Sequence, residues 1–365
     1  MIKKIKAFIA VGGTGGHVFP GCNLAEFLIQ KNYEIKLITD KRGKKYLKKY
    51  EHLDINILPS TPIINKNVFY LFISLVSLFY SISRSLVFLI FNRPQIIFGM
   101  GGYASFPICI AARILRIKLI IYENNLVIGK ANKYLMPYAN KVFVSYKELE
   151  GIPQKYRSKT FETGNIIKKN IINFTQQHSN NKDIKSMKIL VLGGSQAAKI
   201  FATELPEIFH KCLKEGIPLK IFQQCLPGQN EQLKSFYLKN GIDFEIFNFS
   251  DDITEYFSKV NLAISRSGSS MLAELTNAKI PFISVPLPSS TDNHQFKNAI
   301  FYKRKIFSFL IEEKDLKDKL YYLIKEIHKN TTKLDKIIQN MCLYSDKNVY
   351  IKIDKKLKEI FNEKN

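Results

Sequence analysis

IKAFIAVGGTGGHVFPG, residues 5–21, is an apolar run that ends in a loop with five glycines, one histidine and one proline. An apolar run closed by glycine reads as a buried strand. Glycine is costly to order and is kept where backbone turns sharply or passes close to another group. Pro20 to Lys31 then reads as a helix, so the order is strand, glycine loop, helix. The same order restarts at residues 188–200, KILVLGGSQAAKI.

Outward from the first loop, the strand segments are IKAFIAV, EIKLIT, INILP, QIIFGM, KLIIYE and KVFVS. Helical segments fall between them at Pro20 to Lys31, Tyr70 to Phe91, Phe106 to Leu115 and Ala131 to Met136. A polar stretch, TQQHSNNKDIKSMK (residues 175–188), separates the halves. The second half continues with LKIFQQ, FEIFNFS, VNLAISRSG and IPFISVP, and the last twenty residues read as a charged helix. Strands alternating with helices predict a parallel sheet covered on both faces. Two such units in 365 residues predict two Rossmann-like, doubly wound α/β domains facing a cleft. Ligands of such sheets bind outside the carboxyl ends of the strands. The loops expected there are Gly12–Pro20, Gly99–Ser105, Glu123–Asn125, Gly193–Gln196 and Ser265–Glu274. A helix N-terminus offers N–H groups and partial positive charge, which suits a phosphate.

Two common phosphate fingerprints are absent. From Gly13 the pattern G-T-G-G-H-V lacks the third glycine of G-x-G-x-x-G, and from Gly16 the pattern G-H-V-F-P-G-C-N lacks the Walker lysine. Asp40, at the end of the second strand, keeps a ribose-binding nicotinamide reading open. No Asp-x-Asp occurs, which favours a diphosphate site without a metal.

Charge and cysteine usage narrow the setting. Against 31 Asp+Glu stand 55 Lys+Arg, a net charge of +24 that favours anionic partners. Runs such as KRGKKYLKKY and DKKLKEIFNEKN also read as solvated helix faces. Five scattered cysteines without a CxxC fit a reducing compartment, with neither disulfides nor structural zinc. The N-terminus reads as a strand rather than a signal peptide. Residues 68–91, VFYLFISLVSLFYSISRSLVFLIF, are long enough to cross a bilayer. Arg84 and five serines argue against crossing, since a mid-span arginine costs about 2.5–3.5 kcal/mol. A buried amphipathic helix and a lipid-exposed helix both stay open.

GGTGGHVFP, GMGGYASFP, ENNLVIGKANK, GGSQAAK and SRSGSSMLAEL…PFISVPLPSSTDNHQFKNA resemble, in order and spacing, the bacterial MurG family. The resemblance runs from Lys4 to about Asn298. It implies the GT-B fold and an N-acetylglucosaminyltransferase of peptidoglycan synthesis, cell shape and division, converting lipid I to lipid II. The implied donor is UDP-GlcNAc and the implied acceptor hydroxyl is C4 of the lipid-linked N-acetylmuramic acid. Inversion, no metal and no cofactor are further implications. On this reading residues 1–163, with a helix in 345–365 crossing back, bind the acceptor, and residues 164–344 bind the donor. The setting is the cytoplasmic face of the inner membrane, as a peripheral protein on anionic lipids. A cell-wall synthesis complex is a further partner, and no nucleic-acid motif is present.

The residues then take roles. Thr14, Gly15 and Gly16 offer N–H groups to the leaving diphosphate, with Gly193, Gly194 and Ser195 opposite. His17 is the general-base candidate, since its ordinary pKa of about 6.5 suits proton removal near neutrality; a positioning role is the alternative. Glu123 is the weaker base, or a brace for its loop. The resemblance puts Ser269, Ser270, Met271, Leu272 and Ala273 around the donor diphosphate and ribose. It puts Glu274 on the ribose hydroxyls, unless that glutamate merely favours its own helix dipole. Gln295 and Asn125 would contact the donor sugar, and the backbone of Ser250 would face uracil. Lys168 stands where the family has an arginine, keeping the charge but losing the fork. Tyr122 stands in place of a family histidine. The alternative function is another GT-B sugar-nucleotide enzyme, a lipid glucosyltransferase or a UDP-GlcNAc 2-epimerase.

Overall fold

The computed structural model describes residues 4–61, 67–174, 186–194, 198–250 and 252–362. The chain forms two compact units, Met1–Ile167 with Asn348–Asn365, and Lys168–Lys347. Most of the polar stretch at 175–188, and Ser195, lie outside the described residues.

Unit 1 opens with β1 (Lys6–Ala10), α1 (Gly15–Gln30), β2 (Glu34–Thr39) and β3 (Asp54–Ile57). It continues with α2 (Val68–Phe91), β4 (Ile96–Gly99), α3 (Phe106–Ile114), β5 (Lys118–Glu123), α4 (Lys130–Leu135), β6 (Lys141–Val144) and β7 (Thr160–Glu162). The seven strands are parallel, in the order β3-β2-β1-β4-β5-β6-β7. The central strand is apolar on both faces: Ala7, Phe8, Ile9 and Ala10 are buried. Such a continuous run is what helices on both faces of a parallel sheet require. Ile97, Leu119, Ile121 and Val142 share its core with Ile108 and Cys109 of α3 and Leu135 of α4.

The sixth strand expected from sequence is followed by β7, which was not expected. Its residues are only partly buried at the sheet edge, so no apolar run marks it. The helix after the glycine loop starts at Gly15, five residues before the expected Pro20. Gly21 lets it lie on β1, where a Cβ would collide with Val11 Cγ1.

The packing of α2 is inverted. Its buried positions are Ser74, Ser81, Ser85 and Leu89. The three hydroxyls donate to the carbonyls of Tyr70, Ser77 and Ser81, all at 2.8 Å. Small side chains satisfied within their own helix let α2 lie close against α3. The large side chains therefore point outward, with Phe69, Phe72, Ile73, Leu75, Val76, Phe79 and Tyr80 among the exposed ones. α2 is the one described helix long and apolar enough to cross a membrane, and little of its most apolar stretch is buried.

Unit 2 begins with α5 (Lys169–Ile172), β8 (Met187–Leu192), α6 (Lys199–Lys214), β9 (Leu219–Gln224), α7 (Asn230–Lys239) and β10 (Asp243–Phe247). It goes on through α8 (Thr254–Phe257), β11 (Leu262–Ser265), α9 (Ser269–Asn277), β12 (Phe282–Ser284), α10 (His294–Arg304), β13 (Ser308–Leu310), α11 (Leu316–Lys329) and α12 (Thr332–Cys342). Its six parallel strands follow the order β10-β9-β8-β11-β12-β13. Ile189, Val191, Ile221, Ile264 and Ile283 form one core with Phe201, Leu205 and Phe209 of α6 and Leu320, Ile324 and Ile327 of α11. The short edge strand β13 again escaped the sequence pattern.

The last helix, α13 (Val349–Asn362), belongs to unit 1. Val349, Tyr350, Ile353, Leu357 and Ile360 are buried, a stripe at helical spacing. Tyr350 Oη donates to Ile167 O at 2.7 Å, and the Tyr350 ring packs on Phe27 at 4.8 Å. Lys118 Nζ donates to Ile360 O at 2.7 Å.

Candidate functional site

In both sheets the strand order reverses beside the first strand, at β1/β4 in unit 1 and at β8/β11 in unit 2. The crevice at such a switch point is where doubly wound sheets bind ligands. The four loops that follow these strands include the glycine loops of the sequence.

In unit 1, α1 begins inside its loop. Val18 N–H donates to Thr14 O at 3.2 Å and His17 N–H to the same carbonyl at 3.1 Å. Thr14 N–H is bonded to Gly12 O at 3.1 Å. Of the three donors expected from sequence, Gly15 and Gly16 thus remain aligned with the open end of the helix, and Thr14 does not. Pro20, six residues into α1, has no N–H to give to the carbonyl four residues back. That carbonyl, Gly16 O, accepts instead from Asn124 Nδ2 at 2.8 Å. The proline therefore ties the loop after β5 to the loop after β1.

His17 lies in the first turn of α1, half-buried, with its ring on the backbone of the loop after β4. A Cβ on Gly101 would stand 2.9 Å from His17 Cε1 and 3.0 Å from Nδ1, and one on Gly102 would stand 3.1 Å from Cδ2. Both glycines have positive φ, +92° and +72°. GMGG is the floor under the histidine, which is why side chains are cleared from it.

Glu123 is buried at the carboxyl end of β5. Oε1 accepts from Asn125 N and Nδ2, each at 3.1 Å, and Oε2 from Gly129 N and Asn132 Nδ2, each at 2.9 Å. Four donors on one carboxylate make it a brace for the loop. Asn125 is half-buried and held by this brace. Asn132, which sequence reasoning missed, also donates to Tyr122 O at 2.9 Å. Tyr122 Oη pairs with Ser145 Oγ at 2.7 Å and accepts from Ile166 N at 3.1 Å.

Asp40 follows β2 on the same edge and is buried. Oδ1 accepts from Gly43 N at 2.8 Å and Gly13 N at 3.5 Å; Oδ2 accepts from Arg42 Nε at 3.1 Å, Arg42 Nη2 at 2.9 Å and Ser60 Oγ at 3.1 Å. Burial pushes this carboxyl up, but Gly43 N–H, the Arg42 guanidinium and Ser60 outweigh it and hold it below the usual carboxylate range. With both oxygens engaged, Asp40 does not serve as a ribose ligand. That removes the nicotinamide reading.

In unit 2, Gly194, after β8, has φ +75°. Ser195 beside it is not among the described residues. After β11, Gly268 caps α9. Leu272 N–H is the first to bond within the helix, to Gly268 O at 3.1 Å. The N–H groups of Ser269, Ser270 and Met271 lie outside that ladder. Leu272 and Ala273 have fully buried side chains and paired backbones, so their part in a ligand site is only to hold the first turn. Glu274 is the sixth residue of α9, beyond the first turn, so the helix-dipole explanation of it fails. Burial pushes its carboxyl up to about 7, against the opposing charge of Lys168. Lys168 caps α5, which packs on α9.

Gln295 Oε1 accepts from Ser267 N at 3.2 Å and Leu287 N at 3.0 Å, bridging the loops after β11 and β12. Ser250 is half-buried beyond the end of β10. Asn248 steadies that end, donating to Cys225 O at 2.9 Å and Asn230 Oδ1 at 2.8 Å. The buried Arg266 donates to Val285 O and Pro286 O, both at 3.3 Å, and pairs with Glu313. The expected residues thus fall into two groups. Gly15, Gly16, His17, Glu123 and Asn125 meet at one switch point. In the other unit, Lys168 faces Glu274, and Gln295 joins the loop before α9. Asn124 carried one sequence signal, a proline deep enough in a helix to orphan a carbonyl.

The chain is similar to known proteins. Residues 7–144 match the glycosyltransferase family 28 N-terminal domain and residues 188–352 its C-terminal domain. A Pelagibacter ubique protein is 34% identical over 365 residues, the whole of both chains. A Rickettsia felis protein is 34% identical over 87% of this chain and 91% of its own length. Both carry the name UDP-N-acetylglucosamine–N-acetylmuramyl-(pentapeptide) pyrophosphoryl-undecaprenol N-acetylglucosamine transferase. Among solved structures, MurG of Acinetobacter baumannii superposes with a TM-score of 0.77 over 97% of this chain and 99% of its own, at 21% identity. A putative UDP-N-acetylglucosamine 2-epimerase from Listeria monocytogenes shares the fold, with a TM-score of 0.64 over 100% and 98% of the two chains, at 17% identity.

Proposed function

This chain belongs to glycosyltransferase family 28, and from that membership we propose that it does what its full-length relatives are named for. It transfers N-acetylglucosamine from UDP-GlcNAc to the C4 hydroxyl of the N-acetylmuramic acid of lipid I, giving lipid II for peptidoglycan. The observation that carries this reading is 34% identity with one so-named transferase over the whole of both chains, with both switch-point loops present.

The mechanism is an inverting displacement at the anomeric carbon without a metal. Unit 2 holds the donor: Glu274 accepts the ribose hydroxyls, and the first turn of α9 faces the diphosphate. Lys168 adds charge near the leaving group, Gln295 and Asn125 meet the sugar, and the backbone at Ser250 meets uracil. Unit 1 holds the acceptor. His17, seated on the Gly101–Gly102 backbone, orients the attacking hydroxyl and receives its proton, while Glu123 keeps the adjoining loop in shape. The glycine-loop N–H groups, fixed before the reaction, stabilise charge as it builds on the departing UDP.

The direct test is transfer of labelled GlcNAc to a short-chain lipid I analogue in EDTA. Sustained transfer is expected. No transfer under any condition overturns the function, and a strict need for magnesium or manganese overturns the metal-free mechanism.

Glu274 gives a pH signature. Its carboxyl, raised to about 7, must be ionised to accept hydrogen bonds from both ribose hydroxyls. As pH falls from 8 to 6 the group protonates, so the KM for UDP-GlcNAc is expected to rise, by about tenfold per unit once well below the pKa. Lys168 lowers that pKa, so Lys168→Met is expected to move the rise to higher pH. A donor KM flat across this range would remove Glu274 from the ribose.

The apolar outer face of α2 supports peripheral attachment to the cytoplasmic face of the inner membrane. Between Asn67 and Lys147 the only acidic residue is the buried Glu123. Arg84, and Arg113, Lys130 and Lys133 on the neighbouring α3 and α4, are exposed. Basic residues near anionic lipid each contribute about 1 kcal/mol.

A further inference from the structure

We propose that Arg42, held between the Asp40 carboxylate and the Tyr103 ring beside Gly13, binds a phosphate of the lipid-linked acceptor. The inference deepens the transferase reading and rests on it.

Arg42 has an unusual balance of restraint and exposure. Nε and Nη2 both donate to Asp40 Oδ2, and the guanidinium carbon sits 4.2 Å from the centroid of Tyr103. The side chain nevertheless stays 46% exposed. Of the five guanidinium hydrogens, two serve Asp40 and three remain. An ordinary surface arginine gives up rotamer freedom on binding, whereas this one is already ordered. Asp40 cannot swing away with it, because Gly43 N–H and Ser60 Oγ bind the same carboxylate.

The place is as informative as the restraint. Arg42 follows β2, at the carboxyl edge of the sheet. Its Nη2 lies 3.9 Å from where a Cβ on Gly13 would stand, and Gly13 opens the turn into α1. Tyr103 comes from the loop that carries Gly101 and Gly102 beneath His17. The guanidinium thus spans two loops of the switch point. Asp40 neutralises one charge, but Lys41, Lys44 and Lys45 are exposed around it, and residues 41–50 include no acid. A planar fork with free donors and surplus positive charge matches phosphate oxygens, where a lysine would offer only a point charge.

Three anions share this chemistry: the acceptor's diphosphate, the donor's diphosphate and the headgroups of bulk lipid. Arg42→Ala and Arg42→Lys separate them. The measurements are affinity for farnesyl diphosphate, KM for a short-chain lipid I analogue, KM for UDP-GlcNAc, and partition onto phosphatidylglycerol vesicles. Arg42→Ala is expected to weaken farnesyl diphosphate binding and raise the acceptor KM about tenfold or more. Arg42→Lys, which keeps a charge for Asp40, is expected to cost about threefold in both. The donor KM and vesicle partition are expected to move less than about twofold. Unchanged diphosphate affinity, equal losses for donor and acceptor, or a loss confined to vesicles would each overturn the proposal. If Arg42→Ala fails to fold, Arg42→Lys decides alone. A wild-type protein that binds farnesyl diphosphate through Arg42 yet transfers no sugar would sink the transferase reading and not this one.

Discussion

Phe72→Ser, Val76→Ser and Phe79→Ser together are expected to weaken binding to phosphatidylglycerol vesicles by at least ~100-fold, with UDP-GlcNAc affinity unchanged. The three positions follow at i, i+4 and i+7, so they share one face of α2. They are 65%, 54% and 74% exposed. Burying such a side chain is worth about 1.5–3 kcal/mol, and each 1.4 kcal/mol is tenfold in affinity. Three removed anchors therefore outweigh what the surrounding cations hold, and the remaining binding should fade as salt screens it. Leu71 and Leu78 of the same helix turn to half-buried positions and would test packing instead. Sedimentation with vesicles reads the result; unchanged partition removes α2 as the attachment surface.

The second large effect concerns the floor beneath His17. His17→Ala is expected to lower kcat by about 100-fold or more, the usual weight of a positioned acid or base. Gly101→Ala keeps the imidazole but sets a methyl about 3 Å from Cε1 and Nδ1, at a φ of +92° that alanine resists. It is expected to reproduce most of the His17→Ala loss in kcat while the donor KM stays within about twofold. A Gly101→Ala enzyme with normal kcat would mean that the ring has no set place in the reaction. A pH profile that keeps its acid limb in His17→Ala would take the proton from the histidine and leave it orientation alone.

The alternating pattern of strands and glycine turns carried most of the architecture, because central strands buried on both faces must be written as unbroken apolar runs. β7 and β13 were illegible for the converse reason: three residues at a sheet edge, most of them only partly buried, need no such run. The start of α1 differs from the sequence reading because glycine reads as loop, while Gly15 and Gly16 are already helical. α2 defeated amphipathic reading, since its inward face is mostly serine and its outward face is mostly phenylalanine, tyrosine, isoleucine and valine. At the site, glycines and His17 stood out in the sequence, but the partners that hold them did not. Asn132, Tyr103 and Arg42 are ordinary letters until the fold brings three loops to one edge.

The ownership of α13 has a consequence for synthesis. Its buried stripe completes unit 1, yet it is encoded after every residue of unit 2. On the ribosome the first sheet must wait, with Phe27 and the neighbouring surface uncovered, while some 180 further residues emerge at about 5–20 per second. The nascent chain thus passes through an interval of about 9–36 s in which the earlier half stays uncapped while the later half is being made. That interval, more than the mature protein, is where chaperones and premature termination would exert their influence.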